Sequence, residues 1–244
     1  MVSCSSFLAA PLVAAQLFSA AWACAPPNQH DQNSTTTYPQ VTLGPEGSDP
    51  ATTGYFMNHF SFNVRNLTTI ADFYIQVFGF RKLFTMRVSP HYSITYLGHS
   101  NGGKNGTGYQ TTEELIRDQH NNEGLLELLF LDTPNTRENV TSSTERTNTF
   151  SHAGIIVPDI MAAQARLREF GVTIFKGVGE TMPSGSPLNI AGGFTDAGIS
   201  QLDSGEYESI LGYFTELNKN VIFAADPEGN FLEVMPQEGA PVVQ

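Results

Sequence analysis

The stretch Thr149-Phe150-Ser151-His152-Ala153-Gly154-Ile155-Ile156-Val157-Pro158 decides how this chain is read, because it restates a phrase the chain has already used. The earlier copy is Asn58-His59-Phe60-Ser61-Phe62-Asn63-Val64. In each copy a His stands five residues before a Val in a β-prone run. An amphipathic segment follows and closes on Phe-Gly, at Phe78-Gly79 and at Phe170-Gly171. The spans from His59 to Gly79 and from His152 to Gly171 differ by a single residue. Each copy ends in an apolar strand with one Glu at its centre, Leu125-Leu126-Glu127-Leu128-Leu129 and Phe231-Leu232-Glu233-Val234-Met235. The duplication therefore delivers two His and two Glu, and two copies of one unit must bury their faces against each other or against a partner chain.

Outward from the His, the pattern specifies elements. Phe60, Phe62 and Val64 alternate with His59, Ser61, Asn63 and Arg65, which predicts a strand with one packed and one polar face. Over Leu67 to Phe78, apolar residues fall at Ile70, Phe73, Tyr74, Val77 and Phe78, a helical spacing with Thr68 or Thr69 as N-cap and Gly79 as the stop. Strands over Lys82–Val88 and Tyr92–Leu97, a Gly/Asn loop, a short helix over Thr111–Gln119 and a strand over Leu125–Leu131 complete a βαβββ module, residues 55–132. A polar connector, Thr133 to Asn148, leads to module two, residues 149–237. It runs strand Phe150–Val157, helix Ile160–Phe170 behind Asp159 as N-cap, and strand Val172–Phe175. An insertion over 176–220, rich in Gly, Ser and Pro, precedes strands Val221–Ala225 and Phe231–Met235, which are joined by the turn Asp226-Pro227-Glu228-Gly229-Asn230. A loop of that length in a compact domain is functional or disordered, and its ends fall beside Glu233. It is expected to be a lid hinged at Gly177, Gly179, Gly185, Gly192 and Gly193, with Phe194, Tyr207, Tyr213 or Phe214 supplying apolar contacts. The fold expected is α+β, two βαβββ modules forming a curved mixed sheet around a metal site within one domain, 55–237.

Composition supplies the material and the address. With 244 residues, 40% of them hydrophobic and 17 of them Phe, the chain can build a sizeable core. A net charge of −12, with Arg65 the first basic residue, argues against nucleic-acid and anionic-membrane partners, which need a basic patch. Residues 1–23 carry no Asp, Glu, Lys or Arg, run apolar from Phe7 to Trp22 and end in Ala21-Trp22-Ala23, the pattern of a signal peptide and its cleavage site. A secreted protein is expected, with a polar linker over 24–54. Sequons at Asn33, Asn66, Asn105 and Asn139 agree with a glycoprotein on that route. Of the two Cys, Cys4 lies in the leader, so Cys24 has no internal partner for a disulfide.

Taken singly, the four chemistry-bearing residues are ordinary: a strand His is most often a hydrogen-bonded core residue and a strand Glu most often faces water. Glu127 is the exception, since it lies among Leu and Phe, where an unpaired carboxylate costs several kcal/mol. Their recurrence at matched places points to two imidazoles and two carboxylates meeting at one centre. Such mixed N/O ligation suits Zn, Ni, Co, Mn or Fe, with positions left for water or substrate.

Several phrases resemble the vicinal oxygen chelate superfamily and, within it, glyoxalase I (lactoylglutathione lyase). They are Asn58-His59, the helix ending in Phe-Gly, Ser151-His152-Ala153-Gly154-Ile155-Ile156-Val157-Pro158-Asp159, and Asp226-Pro227-Glu228-Gly229-Asn230-Phe231-Leu232-Glu233. The resemblance spans about Met57 to Gln237. It implies His59, Glu127, His152 and Glu233 as metal ligands, with Glu233, and Glu127 beside it, as catalytic base. A His at the first place resembles the nickel- or cobalt-using branch. It implies a small-molecule substrate, a carbonyl of hemithioacetal type turned over through an enediolate, and a monomer or homodimer. The chain departs from the family at Asn63 and Asn148, where Arg residues usually serve the glutathione carboxylates, at Leu131, where Asn is frequent, and in the long insertion. Two further readings stay open. His59, His152 and Glu233 would make the Fe(II) triad of a ring-cleaving dioxygenase, with Glu127 crowding it, and the shell would serve a non-catalytic binding protein.

Overall fold

The structure, a computed structural model, describes residues 38, 40–44, 47, 49–100, 108–133, 139–185 and 187–238. The expected leader and most of the linker lie outside them. Residues Val41–Gln244 form one compact unit; of the unit Met1–Gln40, only Tyr38 and Gln40 are described.

Both modules form as the repeat requires. The first consists of β1 (His59–Asn63), α1 (Leu67–Phe78), β2 (Arg81–Arg87), β3 (Tyr92–Gly98), α2 (Thr112–Asp118) and β4 (Leu125–Leu131). The second consists of β5 (His152–Val157), α3 (Ile160–Glu169), β6 (Thr173–Lys176), α4 (Leu188–Ala191), α5 (Asp196–Ile199), α6 (Glu206–Leu217), β7 (Ile222–Ala225) and β8 (Phe231–Pro236). Each module builds its own four-stranded sheet, in the orders β1-β4-β3-β2 and β5-β8-β7-β6, and the two sheets are not joined by strand pairing. In both, the first and last strands pair in parallel, which the intervening helix makes geometrically possible. The class is α+β, as read, with two open sheets in place of one continuous one.

The α1 cap is Asn66, whose side chain accepts from Thr69 N at 3.1 Å, two residues before Thr68, the nearer of the two positions read from sequence. Gly79, at φ 73°, stops the helix in the left-handed region. One face of each sheet enters a shared core. Phe62, Val64, Leu126 and Leu128 from the first sheet meet Ile222, Ala224, Leu232 and Val234 from the second, with α1 and Leu167 of α3 packed among them. The Asp226–Asn230 turn ties the modules together. Asp226 accepts from Glu228 N and Asn230 N, both at 2.9 Å, and from the Tyr74 hydroxyl at 3.2 Å. Glu228 accepts from Arg65 N and Asn66 N at 2.8 and 2.7 Å, an anion placed where the first turn of α1 leaves donors open. Gly229 sits at φ 87°, with Ser142 Oγ where a Cβ would come within 2.6 Å, so the turn requires glycine twice over.

The sheet faces turned away from the shared core are each covered by an inserted segment, at a different place in the repeat. In module one, α2 lies between β3 and β4 and packs Leu115 against Leu83 and Leu125. In module two the insertion lies between β6 and β7, and its Leu188 and Ala191 pack against Phe223 and Phe231. The insertion is a packed cap carrying three helices. Its start and end are tied together: the fully buried Lys176 ammonium donates to the carbonyls of Asn218, Lys219 and Val221, and Gly179 N donates to Lys219 O at 2.8 Å. Gly177 and Gly179, read as hinges, are therefore anchored at the base of the cap.

Candidate functional site

The placement of the four residues follows from strand register. In the first sheet His59 is opposite Leu125 and Ser61 is opposite Glu127; in the second His152 is opposite Phe231 and Gly154 is opposite Glu233. The offset is the same in both. With a side-chain period of two, it puts each Glu on the face of its His, one step along the neighbouring strand. The faces concerned are those turned away from the shared core.

The contacts follow. His59 Nε2 lies 3.7 Å from Glu127 Oε2, and His152 Nε2 lies 3.2 Å from Glu233 Oε2. Both imidazoles are a little over one-third exposed and both carboxylates are largely covered. The residue before each His orients it. His59 Nδ1 meets Asn58 Oδ1 at 2.9 Å, while Asn58 Nδ2 donates to the carbonyls of Gln119 and Asn122. His152 Nδ1 meets Ser151 Oγ at 2.8 Å, and that hydroxyl donates to Ala191 O at 2.7 Å. With the Asn58 amide and the Ser151 hydroxyl donating elsewhere, both accept from Nδ1–H, which turns Nε2 toward the Glu in each pair. The backbone that fixes Asn58 and Ser151 belongs to the segments covering each face: the turn after α2 and the end of α4.

The pairs differ in what lies across the strand. Tyr96 is opposite Glu127, and burial, the hydrogen bond to Glu127 and that carboxylate's charge push its hydroxyl up to about 12. Phe223 is opposite Glu233 and offers no donor. The hydrogen bond with Glu233 raises the pKa of His152 against the opposing pull of burial. Tyr96 was not singled out from the sequence, and Asn58 and Ser151 were read only as parts of their motifs, because the roles of all three come from cross-strand register and bonds to distant backbone.

Four residues read as one cluster thus appear as two pairs. Among the described residues no group of three or more His, Cys, Asp or Glu side chains lies close enough to hold a metal ion. Imidazole and carboxylate are the right donors for a first-row divalent ion, but a catalytic ion of this kind takes three protein ligands and each face offers two. One chain alone does not fit the metal. The physical reason is that the two sheets bury their other faces in a common core and do not close on one another, so the His-bearing faces do not meet.

The second pair lines a cleft of about 380 Å3, bounded by the sheet on one side and by α4 and α6 on the other. Of the aromatic residues expected in a lid, Phe194 and Phe214 line it. Tyr207 packs edge-on to Phe194 and donates to Asn189 at 2.6 Å, and Tyr213 contacts Phe214. A second cleft, about 430 Å3 and bounded in part by Arg65, Arg87, His91 and Asp132, contains none of the four residues.

Comparison with curated proteins gives no match. Among solved structures, the trypanothione-dependent glyoxalase I of Leishmania major is similar at 18% identity and a TM-score of 0.41, covering 75% of this chain and 88% of that one. Glyoxalase I from Zea mays is similar at 15% identity and a TM-score of 0.41, over 76% of this chain but only 46% of that one. TnmS3, an antibiotic-binding protein from Streptomyces sp. CB03234, is similar at 15% identity and a TM-score of 0.39, over 76% and 98% of the two chains. The sequence model described as Glyoxalase/Bleomycin resistance protein/Dioxygenase superfamily matches residues 56–234, so the chain belongs to that superfamily, the vicinal oxygen chelate proteins.

Proposed function

We propose that the chain is a secreted, metal-dependent lyase or isomerase of glyoxalase type, acting on a small α-hydroxycarbonyl of the hemithioacetal kind, with its site completed by a second copy of the chain. The observation that carries this reading is the shared register that sets a His and a Glu side by side on the outer face of each sheet, away from the shared core. A metal-independent core would have no physical reason to repeat that pair, with its oriented Nδ1, in both modules. Both His lie on edge strands, β1 and β5. Ile156 and Leu131, on the same faces as His152 and Glu127, are 57% and 40% exposed, apolar surface that a second copy would cover. A partner presenting the other pair would raise the donor set from two to four.

When bound there, a divalent ion (Ni, Co or Zn, with Fe or Mn as further candidates) supplies Lewis acidity to adjacent substrate oxygens. The protein's own part is proton transfer and orientation. Glu233, without a tyrosine across the strand, is the base: it takes the proton from the carbinol carbon and returns it to the neighbouring carbonyl carbon, while the hydroxyl proton passes from the carbinol oxygen to the former carbonyl oxygen, so the substrate is isomerised with no net loss of a proton. Glu127, held by Tyr96 and beside His59, is the positioning carboxylate. Ser151 and Asn58 keep both Nε2 atoms turned to the site.

The test is turnover of the hemithioacetal of methylglyoxal and glutathione by the purified mature protein, with Ni, Co and Zn added in turn. Activity with at least one ion, lost in Glu233→Gln, supports the reading. Full metal loading with no turnover would reject this substrate class, and oxygen uptake with catechols after iron loading would move the chain to the dioxygenase reading. Secretion is tested separately by the N-terminus of exported protein, expected just after Ala23.

A further inference from the structure

The cap over the second sheet makes a binding site within one chain. We propose that the cleft between α4, α6 and the second sheet binds the aromatic end of a small neutral ligand, whose hydroxyl reaches the His152–Glu233 pair. This names the substrate end for the site proposed above, and it rests on that reading for the chemistry but not for the binding.

Three observations carry it. The floor is a pair of stacked rings, Phe223 and Phe231, with centroids 5.3 Å apart and an interplanar angle of 18°, and Phe175, outside the lining, stacks on Phe231 at 6.0 Å and 21°. Across the cleft stand Leu188, Phe194, Leu211 and Phe214 from the insertion, so a ring entering between them is covered on both faces. The size is right for a ligand of one or two rings, since about 380 Å3 falls within the range of small-molecule pockets, and all of its walls come from one chain.

The second observation is what the polar lining leaves available. Ser151 donates to Ala191 O, Asn218 donates to Phe214 O, and Asn189 accepts from Tyr207, so these side chains already hold the cap in place. His152 and Glu233 remain as the polar end of the cleft. Because His152 Nδ1 is engaged with Ser151 and Nε2 faces Glu233, the pair presents the Glu233 carboxylate to the cleft, and that carboxylate accepts a hydrogen bond from a hydroxyl.

The third is the absence of positive charge: among the described residues no Lys or Arg lines the cleft. A ligand carrying carboxylates there would face Glu233 with nothing to neutralise it. The cap thus presents an apolar wall to the cleft, and Asn148, which accepts from Phe150 N and donates to Arg146 O, is engaged in a local turn.

The probes are 2-naphthol and naphthalene-2-carboxylate, titrated into the full-length mature protein in EDTA and followed by probe fluorescence. The described residues contain no Trp, so the signal is unobstructed in the folded unit. We expect saturable binding of 2-naphthol, at least about tenfold weaker binding of the carboxylate, and at least about tenfold loss of 2-naphthol affinity in Leu211→Trp, which fills the cleft. Leu217→Asp, at a half-open position on the same wall, gives the same loss if Leu211→Trp fails to fold. Equal affinity for the two probes overturns the head-group assignment, and binding that survives in a folded Leu211→Trp or Leu217→Asp overturns the site. Since the titration is metal-free, failure of the lyase reading leaves it untouched. Conversely, an active enzyme that does not bind 2-naphthol would overturn this proposal alone.

Discussion

Glu127 and Glu233 occupy equivalent positions and are made unequal by one atom across the strand. The Tyr96 hydroxyl holds Glu127, whereas the ring of Phe223 leaves Glu233 without that bond. Phe223→Tyr should therefore place a donor on the base, stabilise its charged form, lower kcat, and move the acidic limb of the kcat–pH profile to lower pH. Tyr96→Phe should change kcat by less than about tenfold, while Glu233→Gln should remove about 10²–10⁴-fold. Steady-state kinetics over pH on the three variants checks the assignment, and a loss in Tyr96→Phe as large as that in Glu233→Gln would reject it. Asp226 supplies a pH effect on stability, remote from the pairs. Burial raises its pKa although Asn230, Glu228 and Tyr74 all donate to it. A carboxyl with a raised folded-state pKa binds its proton more tightly folded than unfolded. Its contribution is complete below the ordinary Asp value, about 3.9, and is lost as pH rises through the folded value. Thermal melts should show that loss in the native protein over that window and a flatter profile in Asp226→Asn.

At the scale of elements, the insertion is where sequence and structure part. The His, the Glu, the Phe-Gly stops and both βαβββ orders were legible because each is written in a local period, two for strands and 3.6 for helices. The α6 helix was legible too, in Tyr207, Ile210, Leu211, Phe214 and Leu217, but the Gly, Ser and Pro around it outweighed the pattern. The four-residue helices α4 and α5 are too short to show any period. That the cap closes a cleft, and that Ala191 O orients His152 through Ser151, depends on tertiary placement that no spacing encodes. Lys176 holds this cap at its base. Burial lowers its pKa, and its ammonium satisfies carbonyls at the end of α6. Lys176→Met would strand those carbonyls, costing about 1–3 kcal/mol. The loss should show as faster hydrogen exchange over 177–220 ahead of the rest of module two. Uniform loosening of the whole chain would mean that the lysine supports the shared core instead.

At the scale of the whole molecule, the decisive fact is that one core faces both modules inward and leaves two His–Glu pairs on separate outer faces. If the reaction needs all four residues, symmetry supplies them: a two-fold dimer makes two equal sites, each with the first pair of one copy and the second pair of the other. Subunit mixing tests this directly. His59→Ala and His152→Ala should each be inactive as homodimers, because both sites of each lack an imidazole. In a mixed dimer the two substitutions fall together in one site, and the other regains His59 from one copy and His152 from its partner. Equal mixing with free exchange makes half of the dimers mixed, each with one intact site, so about a quarter of native turnover should return. Metal content should follow the same course, near zero in each variant and recovering with the mixture. A site built inside one chain predicts no recovery at any mixing ratio, since no single chain in the mixture carries both His, and that outcome would require the modules to rearrange about their shared core before the pairs could act together.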